Sequence, residues 1–262
     1  MNGAGNDFIL IDNRDREIQL RASQIEQLCH RQRGIGADGL LLLEPSANGA
    51  ADWSWQFYNA DGGTAEMCGN GARCFAAFIR KKTDTPARLT FETQAGIIEA
   101  ECKGSEITVT LTAPEGLAIG QEINLGGKPV TSHSLNTGVP HAVVFVDDAD
   151  RTMVHEEGQA IRRHPHFAPS GTNVNFVQVL EPNLIRVRTY ERGVEGETLA
   201  CGTGVSAAAI ITSHLRQTPP PISVQVQGGE ILRVDFQASE SGFQNVKLTG
   251  PAEFVFEGTI EI

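Results

Sequence analysis

The sequence predicts an α/β protein made of two similar halves, each of which encloses a buried helix within its own sheet. Two observations lead to this prediction. A set of short sequence blocks occurs twice along the chain, and in each half a segment of almost wholly apolar or small residues follows a cysteine. With 262 residues, the chain is long enough for two ordinary domains or one large one, and a sizeable core is expected.

Four blocks recur in the same order in both halves. The pattern Cys-Gly-x-Gly begins at Cys68 and again at Cys201, 133 residues later. Residues 94–98 match residues 227–231 at the same offset, whereas residues 109–114 match 246–251 and residues 43–45 match 180–182 at an offset of 137. Nearly constant separation close to half the chain length indicates a duplicated domain rather than a short-period solenoid.

Short β-rich or alternating runs, most of them bounded by Gly, Asp or Pro, predict strands at residues 8–12, 40–44, 53–59, 88–93, 97–101 and 107–111. Residues 23–31 predict a surface helix that opens with a capping box from Ser23 to Glu26. Residues 72–80 and 205–211 are apolar or small nearly all round, which predicts helices buried inside the sheet of each half.

The formal charge of −11 argues against a nucleic-acid partner or an anionic membrane surface, because both require clustered Lys and Arg. No apolar run is long enough to span a bilayer, and the first residues do not resemble a secretion signal. We therefore expect a cytoplasmic protein with a small-molecule partner. The five cysteines, an odd number, are interpreted as free thiols in a reducing compartment.

The two repeated cysteines carry the predicted chemistry. Each stands directly before a predicted buried helix, where backbone N–H groups lack partners and the helix dipole is positive, so a thiolate is favoured. The same donors would hold a carboxylate. If the two helix starts face each other, an amino acid could be held with its α-carbon between the sulfurs of Cys68 and Cys201. One thiolate would remove the α-proton, and the opposite thiol would return a proton to the other face.

Simpler interpretations exist for each of these features. Cys68 and Cys201 could be small residues packed at tight turns, and Cys29, Cys74 and Cys102, which have no counterpart in the repeat, are interpreted as structural. The spacing of Cys68 and Cys74 is unusual for a zinc site. No lysine lies in a local pattern typical of a pyridoxal phosphate pocket, and the short Gly-x-Gly patterns lack the context of a dinucleotide fingerprint. We expect neither a metal nor any other cofactor.

Motifs distributed over nearly the whole chain resemble the signatures of the diaminopimelate epimerase family. In chain order they are Gly5-Asn6-Asp7-Phe8, residues 57–62, Met67-Cys68-Gly69-Asn70-Gly71-Ala72-Arg73-Cys74, Pro140-His141, Asn173-Val174-Asn175-Phe176, Glu191-Arg192-Gly193 and Ala200-Cys201-Gly202-Thr203-Gly204. The resemblance implies an α/β (α+β) fold of two pseudo-symmetric domains, each a mixed β-sheet or barrel wrapped around a central helix. The first domain would comprise residues 1–113 and 250–262, with the C-terminal strand returning to complete it, and the second residues 114–249.

The resemblance also implies an activity and its residues. The family converts LL-2,6-diaminopimelate to the meso isomer without a cofactor, and its usual assembly is a homodimer. By position, Cys68 and Cys201 would be the acid/base pair, and His141 and Glu191 would be candidates for orienting the thiols or setting their protonation. The α-carboxylate would bind at Gly69, Asn70, Gly202 and Thr203, and the rest of the substrate at Asn6, Asn59, Asn173, Glu191 and Arg192. Without the resemblance, Glu191 with Arg192 would be interpreted as an exposed ion pair, and His141 as a structural histidine.

The chain departs from the family pattern at Val139, where many members have Asn, and at Gly39, where many have Gln. Loss of the Asn would remove a polar contact to the distal end of the substrate, and a site with one hydrogen bond fewer discriminates less against analogues. The sequence therefore predicts some activity on smaller acidic amino acids such as glutamate.

Other functions remain open at this stage. Within the same fold, proline-type racemases and phenazine-type isomerases are the nearest alternatives; the Glu191-Arg192 pair disfavours the first and the paired cysteines disfavour the second. From other classes, the chain could be a thiol-disulfide redox protein that cycles Cys68 and Cys201 through a disulfide, or a non-catalytic anion-binding module.

Overall fold

The computed structural model describes residues 1–65, 67–240 and 242–261. The chain divides into two compact units. Unit 1 comprises Met1–Thr110 together with Thr249–Ile262, and unit 2 comprises Leu111–Leu248. Among the helices described, none is long and apolar enough to cross a membrane.

Unit 1 begins with two short strands and continues as alternating strands and helices. Its elements are β1 (Asn2–Gly3), β2 (Asn6–Asp12), α1 (Ala22–Cys29), β3 (Gly39–Pro45), β4 (Trp53–Asn59), α2 (Gly69–Lys82), β5 (Arg88–Thr93), β6 (Gly96–Lys103) and β7 (Glu106–Thr110). The strands lie side by side in chain order. The sheet is mixed, because β2 pairs with β3 and β4 with β5 in parallel, whereas β3 pairs with β4 and β5 with β6 antiparallel.

Unit 2 contains a similar series of strands and helices. Its elements are β8 (Glu115–Leu125), β9 (Lys128–Asn136), β10 (Pro140–Phe145), α3 (Val154–Arg162), a short 3-10 helix (Pro165–Phe167), β11 (Asn173–Glu181), β12 (Leu184–Glu191), β13 (Gly196–Thr198), α4 (Gly202–Arg216), β14 (Ile222–Gln225), β15 (Ile231–Ser239) and β16 (Gly242–Pro251). Strand β16 extends past Leu248, so its last residues belong to unit 1, where the hydroxyl oxygens of Thr249 and Thr108 are 2.8 Å apart.

The two units repeat one topology. The order β2-α1-β3-β4-α2-β5-β6-β7 in unit 1 corresponds to β10-α3-β11-β12-α4-β14-β15-β16 in unit 2. The parallel pairs occur at the same places, since β10 with β11 and β12 with β14 are parallel, as are β2 with β3 and β4 with β5. The mixed α/β architecture predicted from the repeated blocks is confirmed.

The helices that follow the two cysteines form the centre of each core. In α4, every residue from Gly204 to Ile211 is buried, and the helix contacts β9, β10, β11, β12, β14 and β15. In α2, Phe75 packs edge-on against the rings of Trp55 and Phe91 at centroid distances of 5.6 and 5.0 Å. A helix with no solvent-facing side loses most of its side-chain entropy, and the burial of its apolar surface offsets that cost.

Helix boundaries differ from the predictions in two respects. Helix α1 is capped by Arg21, whose backbone N–H donates to Gln24 Oε1 (3.1 Å), so the predicted capping box from Ser23 to Glu26 is wrong. The N-cap therefore lies two residues before the predicted one, and the buried residues of the helix are Ile25, Leu28 and Cys29. Helices α2 and α4 begin directly after the two cysteines, at Gly69 and Gly202, and not at residues 72 and 205.

Candidate active site

Each repeated cysteine is the N-cap of the central helix of its unit. The backbones of Cys68 (φ −146°, ψ 119°) and Cys201 (φ −118°, ψ 106°) are extended, and their carbonyl oxygens accept the first helical hydrogen bonds, from Ala72 and Val205, both at 2.8 Å. Cys68 is half-buried, and Cys201 is 7% exposed. Both sulfurs therefore stand beside N–H groups that have no intrahelical partner, at the positive end of a helix dipole.

In unit 1, the first turn of α2 is joined to the start of β2 by paired amides. Asn70 Nδ2 donates to Asn6 Oδ1 at 2.6 Å, and Asn70 Oδ1 accepts from the Arg73 guanidinium at 2.9 Å. Asn6 Nδ2 in turn donates to Asp38 Oδ2 at 2.9 Å. These contacts leave each amide a single orientation, because a flip would set oxygen against oxygen. The predicted residues Asn6 and Asn70 are thus brought together next to Cys68.

An acidic pair and an arginine support this arrangement. The Arg31 guanidinium donates to both carboxylate oxygens of Asp7 (2.8 and 2.9 Å) and to Asp38 Oδ1 (2.7 Å). Although burial raises the pKa of Asp7, the hydrogen bonds and charge of Arg31 bring that pKa below its usual value. Neither Arg31 nor Asp38 belongs to a recognised motif, and the only signal in the sequence is that their partner Asp7 does.

Asn59 lies at the same edge of the unit 1 sheet. It is the last residue of β4, directly opposite Gly39 at the start of β3, and its side chain is exposed. Gly39 is in turn paired with Phe8, two residues after Asn6. Strand starts and ends therefore bring Asn6 and Asn59 to one edge, the edge at which β2 and β3 begin.

The corresponding edge of unit 2 carries the other predicted residues. His141 and Asn173 are paired near the starts of β10 and β11, and Glu191 ends β12. The backbone N–H of Arg192 donates to Asn173 Oδ1 (2.8 Å), and Glu191 Oε1 accepts from the Thr198 hydroxyl (2.6 Å). Although Glu191 and Arg192 are neighbours in the chain, the Glu191 carboxylate contacts Thr198, and the Arg192 guanidinium donates to the Ser170 carbonyl oxygen (3.2 Å).

A buried polar chain leads from this edge to Cys201. The Thr203 hydroxyl is 3.5 Å from Cys201 Sγ and 2.9 Å from His141 Nε2. On the other side of the imidazole, Nδ1 is 3.1 Å from Asn175 Nδ2. Burial, together with the positive charge of Arg192, lowers the pKa of His141 to about 3, so the ring is neutral at neutral pH. Asn175 belongs to a recognised motif, but no role for it follows from the sequence alone.

The second glycine of the unit 2 motif makes this packing possible. A Cβ atom at Gly204 would collide with Asn175 Oδ1 and lie 3.2 Å from His141 Cε1. At the equivalent residue of unit 1, Gly71, a Cβ atom would meet its nearest neighbour, in Phe8, at an ordinary 3.5 Å. The Cys-Gly-x-Gly pattern is therefore required most strictly in unit 2, where the glycine lets the helix start approach the buried histidine.

The remaining thiols are poor candidates for chemistry. Burial raises the pKa of Cys74, which is inaccessible to solvent, to about 12. Burial and the charges of Asp38 and Asp7 raise the pKa of Cys29 to about 11, and burial also raises the pKa of Cys102. These three thiols are therefore protonated at neutral pH, which is typical of structural cysteines. Among the described residues, no group of three or more His, Cys, Asp or Glu side chains could hold a metal ion.

Comparison with known proteins identifies the family. The model of the family described as diaminopimelate epimerase matches residues 1–115 and 133–255. The chain belongs to the diaminopimelate epimerase family. It is 42% identical to the diaminopimelate epimerase of Aquifex aeolicus, with 99% of this chain and 96% of the relative covered. It is 44% identical to the diaminopimelate epimerase of Hydrogenobaculum sp., with 98% and 96% covered. The predictions of the family, of an isomerase and of a diaminopimelate epimerase are confirmed.

Solved structures confirm the predicted fold class. A phenazine biosynthesis protein of the PhzF family from Bacillus anthracis superposes with a TM-score of 0.76 at 14% identity, with 100% of this chain and 95% of that chain covered. A probable proline racemase from Agrobacterium radiobacter superposes with a TM-score of 0.70 at 20% identity, with 91% and 81% covered. At such identities the likeness is one of fold alone.

Proposed function

We propose that the chain inverts the configuration of LL-2,6-diaminopimelate at one α-carbon to give meso-diaminopimelate, with Cys68 and Cys201 as the two bases. The observation that carries this proposal is the equivalent position of the two thiols, each the N-cap of a buried central helix in one of two units of repeated topology. A duplicated fold that keeps one reactive thiol in each copy suits a reaction in which a proton leaves one face of a carbon and another arrives at the opposite face.

The reaction is balanced without a cofactor. One cysteine thiolate takes the α-proton and becomes a thiol, while the other cysteine, a thiol at the start, delivers its proton to the opposite face and becomes a thiolate. The substrate gains and loses one proton, and no electron leaves it. The two sulfurs exchange protonation states in each turnover, and solvent exchange or a turnover in the reverse direction restores the starting state.

Backbone donors at the two helix starts would stabilise the charge that develops during proton removal. Gly69 and Asn70 in unit 1, with Gly202 and Thr203 in unit 2, are the first helical residues, so their N–H groups have no intrahelical acceptor. An α-carboxylate held by such fixed dipoles needs no solvent reorganisation when electron density moves onto it. This arrangement supports the assignment of these four residues to the α-carboxylate.

The distal end of the substrate carries an ammonium and a carboxylate. Glu191 can accept from the ammonium, and the planar Arg192 guanidinium can bind the carboxylate through two parallel hydrogen bonds. Asn6, Asn59 and Asn173 supply amide donors and acceptors along the substrate. His141, neutral and buried, has a supporting role through Thr203. We further propose a cytoplasmic homodimer, on the basis of the family resemblance; light scattering coupled to gel filtration measures the assembly.

Incubation with LL-diaminopimelate in heavy water tests the reaction. The proposed enzyme incorporates deuterium at the α-carbon as the meso isomer forms. A redox protein or an anion-binding module would leave the α-hydrogen in place, as would a racemase specific for proline. Absence of both exchange and meso product from folded protein would contradict the proposal.

Substitution of the cysteines tests the two-base scheme. Cys68→Ala and Cys201→Ala should each abolish inversion, since each leaves one face without an acid or base. The matched control is Cys74→Ala, on the same helix as the first motif, which removes a protonated, buried thiol and should lower stability while turnover persists. Full inversion activity in Cys201→Ala protein would overturn the scheme.

The same thiols allow a redox alternative, in which they cycle through a disulfide. Mild oxidation should inactivate the enzyme and dithiothreitol should restore it if the two sulfurs come within bonding distance. In that experiment, inversion activity of the reduced protein distinguishes an epimerase that can be oxidised from a protein whose function is thiol exchange.

A further inference from the structure

The hydrogen bonds of the buried polar chain at Cys201 have a defined donor-to-acceptor direction, which follows from Asn175, the member farthest along the chain from the sulfur. Asn175 is fully buried, and its Nδ2 group has two acceptors within reach: the Ala142 carbonyl oxygen at 3.0 Å and His141 Nδ1 at 3.1 Å. Its Oδ1 accepts from the Thr189 hydroxyl at 3.0 Å. A flipped amide would turn its oxygen toward the Ala142 carbonyl oxygen, so only one orientation satisfies these groups.

The amide fixes the tautomer of the neighbouring imidazole. One Nδ2 proton of Asn175 goes to the carbonyl oxygen and the other to His141 Nδ1, so Nδ1 must accept. A neutral imidazole with an accepting Nδ1 carries its single proton on Nε2. His141 Nε2–H therefore donates to Thr203 Oγ1, at 2.9 Å.

The remaining link points toward the sulfur. Once the Thr203 oxygen accepts from His141, its own hydroxyl proton is directed away from the ring, and Cys201 Sγ lies 3.5 Å away. The donors then follow one another from Asn175 to His141 to Thr203 to Cys201, each oriented by the one before. Donation to a charged acceptor is stronger than donation to a neutral one, so this chain stabilises a thiolate at Cys201.

At the position in unit 1 that corresponds to Thr203, the repeat carries an amide side chain in place of the hydroxyl. The residue of unit 1 that corresponds to Thr203 is Asn70, and its amide is engaged with Asn6 and Arg73. His141 is paired with Asn173 across β10 and β11. The equivalent pair in unit 1 is Phe8 with Gly39, and the side chain of Phe8 has no polar atom. At these two described positions, unit 1 therefore has neither the histidine nor the hydroxyl that unit 2 has.

We propose that Asn175 is a positioning residue which, through the fixed tautomer of His141 and the hydroxyl of Thr203, stabilises the thiolate form of Cys201 in the resting enzyme. The assignment of Cys201 to catalysis rests on the proposed function, whereas its ionisation and the histidine tautomer can be measured without substrate. The charged groups at this edge are Arg192, whose charge disfavours protonation of His141, and Glu191, which accepts from Thr198.

The tautomer is measured directly in the unaltered protein. Nitrogen-15 NMR of histidine-labelled protein should show His141 with a protonated Nε2 and an unprotonated Nδ1 at neutral pH, and a spectrum of His141→Gln protein identifies the signal. A proton on Nδ1, or on both nitrogens, would overturn the proposal. In Asn175→Leu protein, which keeps the branched shape of the side chain but offers no donor, the Nε2–H preference should be lost.

The ionisation of Cys201 is measured from the ultraviolet absorbance of its thiolate during a pH titration. Each protein is titrated beside a second protein that differs only by Cys201→Ala, and the difference between the two curves belongs to Cys201. Thr203→Val removes the hydroxyl and should raise the titration midpoint by about one pH unit, which is about a tenfold decrease in the ionisation constant of the thiol. Thr203→Ser should restore the midpoint. Thr212→Val, which removes another buried hydroxyl from α4, one that donates to the Ala208 carbonyl oxygen, is the matched control and should change nothing.

The outcomes separate this proposal from the proposed function. An equal titration midpoint of Cys201 with and without the Thr203 hydroxyl would overturn the proposal. A midpoint that rises in Glu191→Gln protein and not in Thr203→Val protein would also overturn it, because Glu191 and not the hydrogen-bonded chain would then control the ionisation of Cys201. If the tautomer and midpoint are as expected and no α-hydrogen exchange occurs with diaminopimelate, the proposed function fails and the assignment of the thiolate stands.

Discussion

Arg73 donates to the carbonyl oxygen of Pro251 at 3.3 Å, and so connects the first turn of α2 to the chain segment that returns to unit 1 from unit 2. The guanidinium is wholly buried and also donates to the Gly69 carbonyl oxygen and to Asn70 Oδ1. One cation thus satisfies acceptors from the helix start and from the C-terminal segment, next to the residues assigned to the α-carboxylate. In unit 2, the corresponding residue is Ser206, whose hydroxyl donates to the Gly202 carbonyl oxygen.

Replacing Arg73 should therefore reduce both stability and activity. We expect Arg73→Met to lower the free energy of unfolding by about 2 to 5 kcal/mol, since buried acceptors lose their donor. Arg73→Lys should recover only part of this loss, because an ammonium cannot reproduce the fork of donors. Urea unfolding measures the effect, and Arg80→Met, on the exposed side of the same helix, is the control. Equal losses for the two methionine variants would contradict the role given to Arg73.

Gly39 should not tolerate a side chain in this protein. A Cβ atom there would lie 2.8 Å from the Tyr58 carbonyl oxygen and 2.9 Å from Phe57 Cε2, so the Gln common in the family cannot be accommodated without movement of β4. We expect Gly39→Ala to lower the melting temperature, with a cost of about 1 to 3 kcal/mol. Gly196→Ala, also in a strand but with open space around its Cβ position, is the control. A melting temperature unchanged by Gly39→Ala would show that the strands yield easily.

Acid should destabilise the fold through His141. Because the pKa of this residue is about 3 in the folded state and 6.5 in the reference state, the unfolded chain binds the proton more readily between these values. The contribution of neutral His141 to the free energy of unfolding is fully present above about pH 6.5. It decreases as the pH falls toward 3, by up to about 5 kcal/mol in total. Burial lowers the pKa of His133 too, so its contribution has the same sign.

Comparison with His141→Gln isolates this effect. Between pH 6 and pH 4.5, the free energy of unfolding of the unaltered protein should fall by about 1.4 kcal/mol more per pH unit than that of the variant. Urea unfolding at several pH values supplies both slopes. Parallel slopes would mean that His141 is protonated in the folded protein at ordinary pH, in conflict with the neutral ring inferred from its contacts.

Substrate selection should be relaxed at Val139. This half-buried residue follows Thr137, whose hydroxyl donates to the Thr203 carbonyl oxygen at 2.9 Å, so the loop lies against the start of α4. We expect slow deuterium incorporation into glutamate in heavy water. Val139→Asn should raise the preference for diaminopimelate over glutamate about tenfold, because the amide can then form a hydrogen bond with the distal groups that only diaminopimelate has. Val255→Asn, on an exposed apolar residue, is the control. Purified, active enzyme that leaves glutamate unexchanged would contradict this prediction.

Local pattern and repetition accounted for much of the fold before any coordinates were considered. The strands at 53–59 and 88–93 were predicted with the bounds that the structure has, and the run around residues 40–44 is also a strand. Such elements are specified by short-range alternation and by bounding turn residues, which the sequence displays directly. The predicted cap of α1 was wrong because Arg21 and Ser23 offer competing starts, each with a suitable partner three residues later, and packing of Ile25 and Leu28 decides between them.

The sequence by itself determined that the protein is duplicated, that each copy begins a buried helix at a cysteine, and which family it resembles, because these properties are written in spacing and residue type. Only the tertiary structure decided which polar groups meet. The contacts of Asn175 with His141 and of Arg73 with Pro251 join residues 34 and 178 positions apart. Hydrogen bonds depend on distance and direction within a few tenths of an ångström, and that geometry exists only after the strands have paired and the helices have packed.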